Sequence, residues 1–187
     1  MINLQKYAHI ERERRFLLAT PPADLVLEGG YSRIVDCYIP DTRMRLRRIE
    51  TPDGRVLAYK MTQKFVCEGQ PSHQSMITNI YLEPHEYETF NCLAGRQLIK
   101  RRYPYWYEGV QYVIDLFSGP LRGLVLAEVE RASDNDLLRL TPPPFAIGEV
   151  TDDPFFTGGR LVQLSAADFR VWLVAFHQRV SQSLMAV

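Results

Sequence analysis

Charge returns at every second residue in this chain, and it does so in one segment after another. Residues 9–18 read His-Ile-Glu-Arg-Glu-Arg-Arg-Phe-Leu-Leu. Successive side chains of a strand point to opposite faces, so Glu11, Glu13 and Arg15 share one face and Arg12 and Arg14 the other. The pattern recurs in Arg43, Arg45 and Arg47, where Met44 and Leu46 alternate with the charges. It recurs again in Lys60, Thr62 and Lys64, in Lys100 and Arg102, around Asp115, and in Glu128 and Glu130. Two carboxylates at this spacing lie about 7 Å apart at Cα. Water, a cation or a basic partner must offset them. A charged strand wet on both faces would explain the first segment taken alone. The last is more informative, because Glu128 and Glu130 continue an apolar run, and carboxylates rarely extend a buried strand.

Turn chemistry separates these segments. Pro40-Asp41-Thr42 and Thr51-Pro52-Asp53-Gly54 are turn signals, the second of hairpin type. Residues 68–74, with Gly69 and Pro71, form a loop, and Glu108-Gly109 makes a tight turn. The resulting strands span about 9–18, 31–39, 43–49, 56–65, 75–82, 98–107, 110–117 and 124–130. Residues 20–27 suit a short helix capped by Thr20 and ended at Gly29-Gly30. Residues 84–97 suit another, with Tyr87, Phe90 and Leu93 or Ala94 in helical register. Residues 165–185 form the strongest helix, where Ser165 and Asp168 make a capping box and Phe169, Trp172, Leu173 and Phe176 an apolar stripe.

The 187 residues suffice for one domain, 1–187, with a sizeable core. Lys plus Arg and Asp plus Glu number 22 each, which argues against a wholly basic nucleic-acid surface but permits internal segregation of charge. Cys37, Cys67 and Cys92 are too far apart for a zinc site or a disulfide framework. No secretory leader and no run of membrane-spanning length is evident, so a cytoplasmic setting is expected, with no membrane partner. His9, His73, His85 and His177 fit no metal spacing and read as incidental.

About eight strands joined by hairpins pack naturally as an antiparallel barrel or a strongly curved sheet, a mainly β (α+β) fold with flanking helices. In a barrel one face of every strand points inward. The inward set is then Glu11, Glu13, Arg15, Arg43, Arg45, Arg47, Lys60, Thr62, Lys64, Lys100, Arg102, Asp115, Glu128 and Glu130. No ordinary core tolerates such an interior without a ligand. Carboxylates suit a divalent metal, and Arg and Lys suit phosphoryl oxygens.

The ordered motifs resemble the CYTH superfamily of triphosphate tunnel metalloenzymes from about residue 9 to 161. Its E-x-E-x-K signature resembles Glu11-Arg12-Glu13-Arg14-Arg15, with arginine for lysine. Its R-x-R, T-x-K and K-x-R strands resemble Arg43-Met44-Arg45, Thr62-Gln63-Lys64 and Lys100-Arg101-Arg102. Its late aspartate strand resembles Tyr112-Val113-Ile114-Asp115, and its A-E-x-E strand Ala127-Glu128-Val129-Glu130. Residues 149–154 also match the family's tail. The resemblance implies a closed eight-stranded antiparallel barrel, or tunnel, and hydrolysis of a triphosphate-containing small molecule with Mg²⁺ or Mn²⁺.

On that resemblance Glu11, Glu13, Glu128 and Glu130 are the metal ligands. Arg43, Arg45, Lys60, Lys64, Lys100 and Arg102 grip phosphates, while Glu13, Arg15, Asp115 and Glu130 serve catalysis. Arg12, Arg14 and Arg101 face outward by parity and need no special role. Two departures stand out: Arg15 replaces lysine, and Thr78-Asn79-Ile80-Tyr81 lacks the acids expected after the T-x-K strand. Alternatives are an adenylate cyclase, a non-catalytic triphosphate or polyphosphate module, and, more weakly, a single-stranded RNA binder using Tyr103, Tyr105, Trp106 and Tyr107.

Overall fold

A computed structural model describes residues 7–93 and 95–185. Its strands are β1 (His9–Leu18), β2 (Ser32–Tyr38), β3 (Met44–Glu50), β4 (Val56–Phe65), β5 (Gln74–Leu82), β6 (Arg96–Tyr107), β7 (Val110–Phe117), β8 (Val125–Glu130) and β9 (Gly148–Glu149). Its helices are α1 (Pro84–Asn91), α2 (Asp134–Leu138), α3 (Gly158–Leu161) and α4 (Ala166–Met185). The sheet order is β5-β4-β3-β2-β6-β7-β8-β1, and pairing of β1 with β5 closes it into the eight-stranded antiparallel barrel expected from the pattern. Closure leaves few free edges, which suits a chain this rich in strands.

β1 serves three partners. Residues 9–12 pair with β5 and residues 13–18 with β8, while Phe16 and Leu17 also pair with the short β9. Its outward Phe16 and Leu18 join Tyr103, Ile114, Ala127 and Val129 in a core on the outside of the barrel, covered by Leu137 of α2 and by Phe145. The Phe145 ring lies T-shaped to the rings of Tyr105, Tyr107 and Tyr112. Those tyrosines therefore serve packing.

A second core plugs the barrel. Leu17, Leu98, Phe117 and Leu126 continue the inward faces of β1, β6, β7 and β8 beyond the charged positions, and they pack with Phe156, Leu161, Phe169 and Phe176. The α4 stripe supplies this cover as its spacing predicts. Phe169 is fully buried, and the Trp172 and Phe176 rings stack at 5.2 Å. Ser165 Oγ accepts from the Asp168 N–H at 3.1 Å and donates to its carboxylate at 2.6 Å. Among the described residues no helix is long and apolar enough to cross a membrane.

Three local expectations are corrected. Residues 20–27 form no helix; a turn bond from Leu25 N–H to Pro22 O takes its place. Adjacent prolines remove two donors from a segment too short to nucleate, and Tyr105 and Tyr103 anchor it through Asp24 and the Leu27 carbonyl. The helix from Pro84 stops at Asn91, because Arg96 and Gln97 are taken by the ladder with Tyr38 and Cys37. Ala94 lies outside the described residues. The backbone approaches closely at Gly95, where a Cβ would lie 2.5 Å from the Tyr38 carbonyl oxygen. Finally, α2, β9 and α3 arise between residues 134 and 161, where no helix or strand was expected.

Candidate functional site

The inward faces enclose a cavity of about 400 Å³. Its basic side is built by β3 and the residue before it, where Arg43, Arg45 and Arg47 alternate with Met44 and Leu46. Arg47 clasps Asp36 of β2 through two bonds of 2.6 and 2.7 Å. Arg45 lies 3.8 Å from the same carboxylate and donates to the Tyr38 hydroxyl at 3.4 Å. Asp36 is 1% exposed. Burial alone would raise its carboxyl, but Arg47 and Arg45 outweigh burial and hold it down at about 2. One fixed anion thus aligns two guanidinium groups. Arg43 stands at the rim with its guanidinium over the Phe65 ring, 4.1 Å from the centroid.

The acidic side lies on β1 and β8. The Lys64 ammonium of β4 donates to both Glu11 and Glu13, the latter at 2.8 Å. Burial works against its charge, but Glu13 and Glu11 prevail and raise it. Arg102 of β6 donates to Asp115 at 2.7 and 2.6 Å and also to Glu128. Lys100 donates to the same Asp115. Burial opposes the charge on Glu128, yet Arg102 and Lys100 hold its carboxyl well below the usual range. Burial beside Arg102 lowers the Lys100 ammonium, only partly offset by Asp115 and Glu128.

Of the expected site residues, Glu11, Glu13, Arg15, Arg43, Arg45, Lys64, Lys100, Arg102 and Glu128 line this one cavity, as does Arg47. Three are placed differently. Asp115 is fully buried behind the wall, its two oxygens taken by Lys100 and Arg102. Lys60 lies beyond the lining, its ammonium 5.7 Å from the Tyr81 ring centroid. Burial, then Arg47 and Arg45, lower its ammonium. Glu130 pairs in register with Glu13 at the exposed end of β8. Its carboxyl is raised by burial and by Glu11 and Glu13. Arg15 is 9% exposed and donates to backbone carbonyls, at 2.8 Å to Phe156 and 3.4 Å to Thr151.

Other participants were not foreseen. Asp36 interrupts an apolar run, the same signal that singled out Glu128. The segment Phe156–Gly159, which lines the cavity beside Tyr38, has no comparable chemical signature. Arg14 points away from the lumen as its parity requires, but it is far from idle. It is 7% exposed, binds Glu149 at 2.8 and 2.6 Å, and donates to the Leu137 and Leu140 carbonyls. His73 is likewise engaged, 3.0 Å from Asp134, which also receives Gln74 at 2.9 Å and lies 3.3 Å from Arg12.

A closed antiparallel barrel whose lumen sets basic strands against acidic ones is the architecture of a triphosphate tunnel protein. No protein-family model matches the chain. An inorganic triphosphatase of Nitrosomonas europaea is 33% identical over 152 residues, covering 76% of this chain and 90% of that one. An inorganic triphosphatase of Acetivibrio thermocellus is 34% identical over 84 residues, 44% of this chain and 53% of that one. The crystal structure of the inorganic triphosphatase NE1496 matches with a TM-score of 0.55 and 26% identity, covering 88% of this chain and 97% of that one. That of a putative adenylate cyclase from Bacillus halodurans, 18% identical, matches at 0.50 over 71% of this chain and 86% of that one, a likeness of fold. The chain belongs to the CYTH, or triphosphate tunnel, family.

Proposed function

We propose that this protein hydrolyses inorganic triphosphate within its barrel. The observation that carries the reading is the lining of one cavity: Arg15, Arg43, Arg45, Arg47, Lys64, Lys100 and Arg102 outnumber Glu11, Glu13, Asp36 and Glu128. That surplus of fixed positive charge suits a compact polyanion. The triphosphatase relatives point to the same substrate.

Among the described residues no three His, Cys, Asp or Glu side chains form a ready metal cage. The donor chemistry nevertheless fits a hard divalent cation. Glu11, Glu13 and Glu130 press on one another enough to help raise Glu130, and carboxylate oxygens suit Mg²⁺ or Mn²⁺. Glu11, Glu13 and Glu130, with Glu128 beside them, would hold the ion. When bound, it supplies charge neutralisation at the phosphoryl oxygens.

The chain's own residues do the rest. Arg43, Arg45, Arg47 and Lys64 hold phosphoryl oxygens, and Lys100 and Arg102 are aimed by Asp115. Water attacks the terminal phosphorus, the bridging P–O bond breaks, and pyrophosphate leaves with its growing charge facing the guanidinium groups. Glu130 accepts the proton of the attacking water. Lys60 adds charge from behind Arg47. The setting is read as cytoplasmic, with no nucleic-acid or membrane partner.

The test is phosphate and pyrophosphate release from inorganic triphosphate, ATP and thiamine triphosphate with Mg²⁺ or Mn²⁺, for the wild type and Glu11→Gln. Release from inorganic triphosphate that disappears in the variant is expected. Cyclic AMP and pyrophosphate from ATP would make the protein a cyclase. Tight binding without turnover would make it a binding module, a reading favoured by Asn79, bonded to Thr62 at 2.7 Å where an acid is expected.

A further inference from the structure

We infer that Arg15 is a positioning residue that pins one wall of the cavity, rather than a phosphate ligand or proton carrier. This rests on the triphosphatase reading for its kinetic consequences, but not for its structural ones. The wall in question is residues 151–161, a strap that leaves β9, turns through Pro154–Phe156 and enters α3. Arg15 meets it at several points. Its side chain donates to the Phe156 and Thr151 carbonyls, its N–H donates to the Thr151 hydroxyl at 3.0 Å, and its carbonyl accepts from the Val150 N–H at 2.8 Å. Each terminal guanidinium nitrogen thus gives one bond to the strap. Nε is buried without a hydrogen-bond partner and lies 3.9 Å from Glu13.

The strap then acts on the basic side. A Cβ on Gly158 would fall 2.0 Å from the Tyr38 hydroxyl oxygen, so the strap backbone lies directly against that group. The same hydroxyl receives Arg45. Arg15 on β1 therefore reaches Arg45 on β3 through three successive contacts: guanidinium to carbonyl, glycine backbone to phenol, phenol to guanidinium. A lysine, the residue of the family signature, presents a compact ammonium and cannot span two carbonyls with a planar fork. Arginine at this position is thus matched to a strap that must be held.

The test compares Arg15→Lys, Arg15→Ala and Tyr38→Phe by hydrogen–deuterium exchange over residues 151–161 and by steady-state kinetics on inorganic triphosphate. The expectation is faster exchange in the strap for both Arg15 variants and wild-type strap exchange for Tyr38→Phe. In all three, KM rises by more than kcat falls, about five-fold for one ordinary hydrogen bond, and the pH–rate profile keeps its shape. Wild-type strap exchange in both Arg15 variants overturns the inference whatever the activity. So does a fall in kcat with KM unchanged and one limb of the pH profile lost. If the wild type proves inactive on triphosphates, the proposed function fails, while the exchange measurement still decides the pin.

Discussion

Asp36→Asn separates the charge of this carboxylate from its shape. Asp36 is buried, accepts both bonds from Arg47 and faces Arg45. With its carboxyl at about 2 rather than 3.8, the charged form contributes about 2.5 kcal/mol at neutral pH. Asparagine keeps one oxygen but turns an amide donor toward a guanidinium and leaves buried Arg47 and half-buried Arg45 underpaired. Breaking a buried pair in this way costs about 3 kcal/mol or more. With a urea dependence of about 2 kcal/mol per molar, the unfolding midpoint at pH 7 should drop by about 1.5 M, read from the fluorescence of Trp172 in the plug. The depressed carboxyl stabilises fully above the unfolded value near 4 and loses that contribution as pH falls toward 2. The gap between wild type and variant should therefore narrow by about 1 kcal/mol at pH 3. Equal midpoints at pH 7, or a gap that stays constant down to pH 3, would refute the claim that the Asp36 charge organises the arginines.

Other consequences follow from the same ion pairs. Glu149→Gln leaves Arg14 with carbonyl partners alone and should cost about 2 kcal/mol in urea unfolding, with β9 amides exchanging faster. Because Lys100 is lowered by burial and Arg102, it loses its proton earlier than an ordinary lysine as pH rises. Triphosphate affinity, measured calorimetrically, should therefore decline with rising pH before the usual lysine range, and binding there should take up protons. Lys64→Ala removes a cation from between two glutamates and should weaken triphosphate binding about ten-fold, the factor that one charge-assisted bond of about 1.4 kcal/mol commands.

The barrel was legible because its period-two signal is carried by charged residues, which cannot be mistaken for a helix face. Arg43, Arg45 and Lys64 stood out for that reason and share a cavity. Parity gave the face of each residue but not its depth. Asp115 and Arg102 have the same parity and are paired in register, yet one lies behind the wall and the other in it. Lys60 differs from Lys64 only in its position along a tilted strand, and that difference takes it out of the lining. Contacts between distant segments were silent altogether. Nothing local in Arg14 announces Glu149, and nothing in Gly158 announces Tyr38. Residues 20–27 and 92–97 misled because local propensity was outweighed by anchoring in the first and by pairing with β2 in the second.

The double attachment of β1 also dictates an order of events. Its two halves find their partners far apart in the chain, residues 9–12 at residues 74–77 and Glu13 only at Glu130. Among themselves, strands β2 to β7 pair with near neighbours in sequence apart from the single return of β2 to β6. Loop closure over such a span is slow, so seating β1 is the natural late step of folding. Until then Glu11, Glu13 and Arg15, which later face the lumen, keep the unpaired strand charged, which discourages pairing with other chains. The residues that line the finished chamber thus also guard the unfinished one.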